Sequence, residues 1–320
     1  MKVLPINNFY TKSQKINRQV NAGVLYPKLK SDSVCFRGQN FLELPPKEVY
    51  KKVIESITPE NFVGQGTEAE VYRIKDTEFC VKISYEALSS YSKNMDLNRR
   101  LYFNKNISSN EAVNHTVAEL GLNTKIMKFF EGKIPKDYFG NKENRYLLQS
   151  EIAQMPVKSY TDFLHQIANG VDNQMLFDNS LGNLIVNTKE NKLTAIDFFP
   201  MTENPREVRP LNEMYSLLTA NGAEQETGKK IFDNIMNAGL EEFEPNIIPC
   251  MDIELFDFVE LCKKRIEDTK VQNSERIMQK ISQQIQFIKG LKKAEHMESL
   301  FSTFIKEKID IVRDLIKYLK

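Results

Sequence analysis

Residues 63–84 read VGQGTEAEVYRIKDTEFCVKIS. Gly64 and Gly66 stand one residue apart, ahead of Ala69 and Val71, and a lone lysine follows at Lys82. Phe62 and Val63 close one strand. Val71, Tyr72 and Ile74 open a second, KDTE makes a tight turn, and FCVKIS makes a third. The period of two sets Phe79, Val81 and Ile83 on one face and Cys80 and Lys82 on the other. The glycines have two readings. They mark a turn between strands, or they keep Cβ atoms away so that backbone N–H groups can approach an anion such as phosphate. Lys82 has two readings as well, a solvated strand lysine or a cation reaching back to phosphate oxygens. An acid placed to hold it would separate them. Glu111 is the best-placed acid; Glu119 lies further along, and Glu86 is too close in sequence.

Outward from this stretch the chain changes character. Residues 1–44 form a polar tail rich in Asn, Lys, Ser and Gln, expected to be disordered or loosely docked. Pro45 and Pro46 can start a helix carrying Val49, Val53 and Ile57 on one face. ISSNEAVNHTVAEL, 107–120, reads as a helix capped by Ser109, with Ala112, Val117 and Leu120 inward. KIMKFF and RYLLQSEIA read as strands and YTDFLHQIAN as a helix. LGNLIVN and KLTAIDFF read as a hairpin closed by TKENK. After about residue 205 the pattern is helical to the end. There Ile305, Ile309, Val312, Ile316 and Leu319 form a stripe, read as bundle core or, alternatively, as a surface for a partner or a membrane.

The bulk numbers exclude several classes. With 44 basic against 43 acidic residues, net +1, nothing global calls for nucleic acid or an anionic surface. An apolar fraction of 41% supports a core, but no run is long enough for a membrane helix. The N-terminus lacks the apolar segment of a secretory signal. Four scattered cysteines (35, 80, 250 and 262) and three scattered histidines show neither zinc nor redox spacing. Cys80 reads as a small strand residue rather than a reactive thiol.

The string LFDNSLGNLIVNTKENKLTAIDFF carries Asp178, Asn183 and Asp197. The first two would share a loop, and the third would follow the hairpin. Magnesium takes oxygen ligands, which Asn183 and Asp197 can supply. Asp178 can then orient or accept a hydroxyl proton. Asp and Asn are also ordinary loop residues. That bland reading suits Asp197 poorly, since it sits between an apolar strand and two phenylalanines.

Taken in order, G-x-G-x-x-A-x-V, V-x-K, a helix glutamate, D-x-x-x-x-N and I-D-F resemble the ATP site of the protein kinase superfamily over roughly residues 60–200. The resemblance implies that Gly64, Gly66, Ala69 and Val71 cover the phosphates of ATP. It implies that Lys82 contacts the phosphates and pairs with Glu111. Asp178 would be the catalytic aspartate, and Asn183 and Asp197 the Mg2+ ligands. Backbone at Gln149, Ser150, Glu151 and Ile152 would meet the adenine edge. The chain also departs from the family. Leu176-Phe177-Asp178 replaces H-R-D or H-G-D, Ser180 replaces a lysine, Phe199 replaces the D-F-G glycine, and no A-P-E follows. The pattern is similar to reduced bacterial kinases, including effector kinases that pathogens inject into hosts, and to the aminoglycoside phosphotransferase branch.

The expected fold is α+β and two-lobed. A tail at 1–44 precedes a small antiparallel-sheet lobe at 45–155, a helical lobe at 156–240 and a helical C-terminal region at 241–320. The expected activity is Mg2+-dependent transfer of the ATP γ-phosphoryl group to a hydroxyl, first of a Ser or Thr in a protein. A small-molecule phosphotransferase and a pseudokinase scaffold acting through its C-terminal helices are the alternatives. The expected location is the cytoplasm, or a host cell reached by a non-classical export route.

Overall fold

A computed structural model describes residues 41–92, 102–121, 123–201, 208–242, 251–269, 273–292 and 298–319. Most of the expected polar tail lies outside the described residues. Its end does not hang free. A short 3-10 turn at Phe41–Glu43 buries Phe41, whose ring centroid lies 5.8 Å from that of Phe79.

Helix α1 (Pro46–Ser56) starts at a proline that has no N–H to leave unpaired, and it buries Val49, Tyr50 and Val53. Strands β1 (Phe62–Gln65), β2 (Ala69–Arg73) and β3 (Phe79–Ser84) follow as the alternation requires. Phe79, Val81 and Ile83 are buried, and Lys82 stands half-exposed on the other face. Next come α2 (Tyr85–Ser92), β4 (Phe103–Asn104), α3 (Ser109–Val113), β5 (Thr116–Leu120) and β6 (Thr124–Lys128). The six strands form one antiparallel sheet in the order β1-β2-β3-β6-β5-β4.

The single helix expected at 107–120 is corrected here. Only 109–113 is helical, capped by Ser108 rather than Ser109; the Ser108 hydroxyl accepts from the Glu111 N–H at 3.3 Å. His115 then takes φ +60°, which ends the helix, and Thr116, Ala118 and Leu120 alternate inward as a strand.

The second half begins with α4 (Pro135–Phe139), α5 (Lys142–Ala153) and α6 (Val157–Asp172). RYLLQSEIA is therefore helix, not strand. Asn141 accepts from the Asn144 N–H at 3.0 Å as a side-chain cap, and Leu148 and Ile152, four apart, are fully buried. Then come β7 (Met175–Phe177), β8 (Leu184–Asn187), β9 (Lys192–Ala195) and β10 (Phe198–Pro200). Strands β8 and β9 make the expected hairpin, and β7 pairs with β10. Helices α7 (Pro210–Leu218), α8 (Gln225–Glu242), α9 (Met251–Thr269), α10 (Ser274–Lys292) and α11 (Glu298–Lys317) complete the chain.

Apolar packing falls into two main clusters within residues 40–320. One joins α1 to the buried face of the sheet. The other runs through the helices from Val113 to Leu319, so α4 and α5 belong with the helices. The C-terminal stripe joins the same core: Ile309, Val312, Ile316 and Leu319 are buried, while the side chain of Ile305 lies outside the described residues. Among the described residues no helix is long and apolar enough to cross a membrane.

The chain passes from sheet to helices at 129–134. Lys133 exchanges both backbone hydrogen bonds with Val186 of β8, at 2.8 and 2.9 Å. Gly132 permits this approach, because a Cβ there would lie 2.6 Å from Ile185 Cγ2 and 2.8 Å from Val186 O.

Candidate functional site

Asp197 follows β9 and has φ +70°, a left-handed backbone in a non-glycine residue. The backbone on both sides of it is pinned. The Gln166 side chain of α6 accepts from Ala195 N–H at 3.0 Å and donates to Leu193 O at 2.9 Å. His115 Nε2 lies 2.8 Å from Ala195 O. Ile196 N–H donates to Asn183 O at 2.8 Å, and Asp178 N–H donates to Asp197 O at 3.1 Å. Asn114 completes the set as an amide clamp, accepting from Phe198 N–H at 2.6 Å and donating to Phe198 O at 2.9 Å. A strained residue persists when its surroundings over-determine it, and such residues cluster at functional sites.

These restraints bring the far-separated polar residues together. Lys82 Nζ lies 3.4 Å from Asp197 Oδ1, a contact across 115 residues of chain. Asn183 donates from its amide nitrogen to Asp178 Oδ2 at 2.8 Å and to Asp178 O at 3.2 Å. β7–β10 pairing holds the start of the Asp178 loop, and Ser180 N–H donates to Asp178 O at 2.6 Å. Phe199 pairs with Leu176 as ordinary extended strand. Phe198 and Phe199 point opposite ways: Phe198 packs on Phe177 in the helical core, while Phe199 is 45% exposed.

Two other expectations are corrected. Glu111 does not hold Lys82. It binds Lys125 Nζ at 2.5 Å, and the Thr116 hydroxyl donates to its other oxygen at 3.1 Å. The adenine-edge segment is also displaced. Gln149, Ser150, Glu151 and Ile152 lie on α5, where Gln149 is fully buried and its amide donates to Leu218 O at 3.2 Å. Glu151 pairs instead with Lys133 at 2.5 Å.

The glycine loop is open. Neither Gly64 nor Gly66 has positive φ, and a Cβ at Gly64 would meet nothing within 4 Å, so no local backbone or packing demand calls for the glycines. Gly66 N–H donates to Ala69 O at 2.9 Å, and Val71 lies directly across from Lys82. Tyr85 straps the loop from α2: its hydroxyl donates to Gly66 O at 2.8 Å and its N–H to Glu68 O at 3.0 Å.

Cys80 and Cys262 are buried free thiols, and burial pushes Cys80 up to about 12, so neither is a nucleophile. Cys35 and Cys250 lie outside the described residues. Surface recesses of about 420 and 340 Å³ lie elsewhere, and neither is lined by Lys82, Asp178, Asn183 or Asp197.

The donor set suits a hard cation. Among the described residues no cluster of three His, Cys, Asp or Glu could hold a metal alone. Magnesium, however, commonly takes one or two carboxylates and completes its shell with phosphate oxygens and water. Asp197 supplies a carboxylate. Asn183 turns its NH2 toward Asp178, which leaves its carbonyl oxygen for a cation.

The residues that sequence reasoning missed are Asn114, His115, Gln166 and Tyr85. The first two fall within the helix expected at 107–120. The period-two alternation of Thr116, Ala118 and Leu120 was the signal that a turn precedes them. No family model matches the chain, and no curated protein is significantly similar to it.

Proposed function

We propose that the chain is an ATP- and Mg2+-dependent phosphotransferase acting on a hydroxyl, with Ser or Thr of a protein as the first acceptor class. The observation that carries this reading is the Lys82–Asp197 contact at 3.4 Å, beside the Asn183–Asp178 hydrogen bond at 2.8 Å. Two stretches far apart in sequence, β3 and residues 178–197, contribute one cation, one amide and two carboxylates, and a scaffold has no chemical need of that set. Lys82 binds phosphate oxygens. Asn183 and Asp197 hold Mg2+, which when bound supplies charge neutralisation at the phosphates. Asp178 orients the acceptor hydroxyl and takes its proton. The Gly64–Gly66 backbone covers the phosphates. The protein's own contribution is positioning and fixed charge.

Thermal unfolding with and without ATP and Mg2+ tests the binding half of this reading. Ligand at about 100 times its Kd stabilises by about 2.7 kcal/mol, a shift of roughly 5 °C for a chain of this size. The shift is expected in the wild type and absent in Lys82→Met. No shift in the wild type removes the nucleotide site and favours the scaffold.

A further inference from the structure

We propose that Lys82 and Lys125 form a two-cation clamp for a polyphosphate chain, with Glu111 as the carboxylate that positions Lys125. This rests on the nucleotide reading and extends it, naming a second binding lysine and assigning Glu111 to a different partner than the resemblance implies.

The register places the two lysines side by side. Lys82 on β3 is the direct cross-strand partner of Lys125 on β6. Directly opposed residues of an antiparallel pair share a face, their Cβ atoms about 4.5–5.5 Å apart. Two like charges in that relation destabilise a sheet. Each lysine therefore has an acid brought from a different element: Asp197 for Lys82 at 3.4 Å and Glu111 for Lys125 at 2.5 Å. The two acids differ in character. Asp197 is 52% exposed and belongs to the proposed metal set, whereas Glu111 is 26% exposed and is braced by the Thr116 hydroxyl. Glu111 thus fixes Lys125 in place, while both lysines keep 38% of their side-chain surface exposed.

Adjacent cations on one exposed face match a ligand with adjacent anions. A chain of two or three phosphates can engage both lysines, and a single phosphate needs one. The ligand class is therefore a nucleoside di- or triphosphate, discriminated from the monophosphate by Lys125. A purely structural Lys125–Glu111 pair, partly exposed, would contribute little and would not discriminate phosphate number.

Calorimetric titration of ATP, ADP, AMP and inorganic tripolyphosphate tests this, using the full chain and its Lys125→Met, Lys125→Arg and Glu111→Gln variants. Unliganded melting confirms that each variant is folded. Lys125→Met is expected to weaken ATP and tripolyphosphate about tenfold, with AMP unchanged, and Lys125→Arg is expected to restore most of the loss. Glu111→Gln is expected to weaken ATP in the wild-type background and to add nothing in Lys125→Met. ATP and tripolyphosphate binding unchanged in folded Lys125→Met overturns the clamp and leaves the nucleotide reading standing. Wild type that binds tripolyphosphate through Lys125 but not ATP overturns the nucleotide reading and supports the clamp. Wild type that binds neither overturns both.

Discussion

Asp197 in the left-handed region costs about 1 kcal/mol relative to ordinary backbone, so something must hold it. Asn114 is the most direct restraint, with two hydrogen bonds to the Phe198 peptide. Asn114→Ala is expected to destabilise the fold by about 1–3 kcal/mol and to lower kcat more than it raises KM for ATP. Denaturant melts and steady-state kinetics read the two effects separately. His115 adds a pH dependence. Burial holds its imidazole below the ordinary 6.5, with Lys128 and Lys192 adding to the effect and the hydrogen bond to Ala195 O opposing it. As pH falls below 6.5 the unfolded chain therefore takes up the proton first, and stability is lost as pH falls through the folded-state value. Melting temperatures across about pH 5–7 should fall with acidification, and His115→Gln should flatten that slope. At this scale Lys82, Asp178, Asn183 and Asp197 were legible because each residue's chemistry and spacing were visible in the sequence. Their restraints were not, since Asn114 and Gln166 act on backbone atoms about 80 and 30 residues away, which no local pattern records.

Among the elements, β1 to β3 were legible because alternation between turn residues fixes faces without tertiary information. RYLLQSEIA failed that way: a short apolar run does not distinguish strand from helix, and here the Asn141 cap and the buried faces of the helical core decide. The same limit hid the break at His115. The glycines give a paired test of element against function. Gly132→Ala would press a Cβ onto Ile185 and Val186, and is expected to destabilise by about 1–3 kcal/mol. Gly64→Ala meets open space and should leave the unfolding free energy within about 0.5 kcal/mol, yet weaken ATP binding by narrowing backbone access. Urea melts beside nucleotide titrations check both. A Gly64→Ala variant with unchanged affinity would return the glycines to a turn.

Across the whole molecule, the sheet cluster and the helical cluster each pack separately, and the proposed site lies where their elements meet, at Lys82 and Asp197. The α+β composition and the helical C-terminal half were legible from the switch between period two and period 3.6. The last helix was legible as core, since a stripe at helical spacing reads first as bundle core, though the stripe alone does not name which helices cover it. Ile309 and Val312 are fully buried in the core that also holds Phe163 and Phe232. Ile309→Ala is expected to cost about 2–5 kcal/mol in a denaturant melt, whereas a surface stripe would tolerate it. Phosphoryl transfer is proposed at Lys82, Asp178, Asn183 and Asp197. The most direct measurement is incubation of wild type and Asp197→Ala with γ-labelled ATP and Mg2+, a generic protein acceptor and a mixed aminoglycoside pool. Label in protein is expected for the wild type, reduced at least about a hundredfold in the variant. Label confined to small molecules would move the acceptor class. No transfer to either acceptor, or transfer undiminished in Asp197→Ala, would contradict phosphoryl transfer at this site.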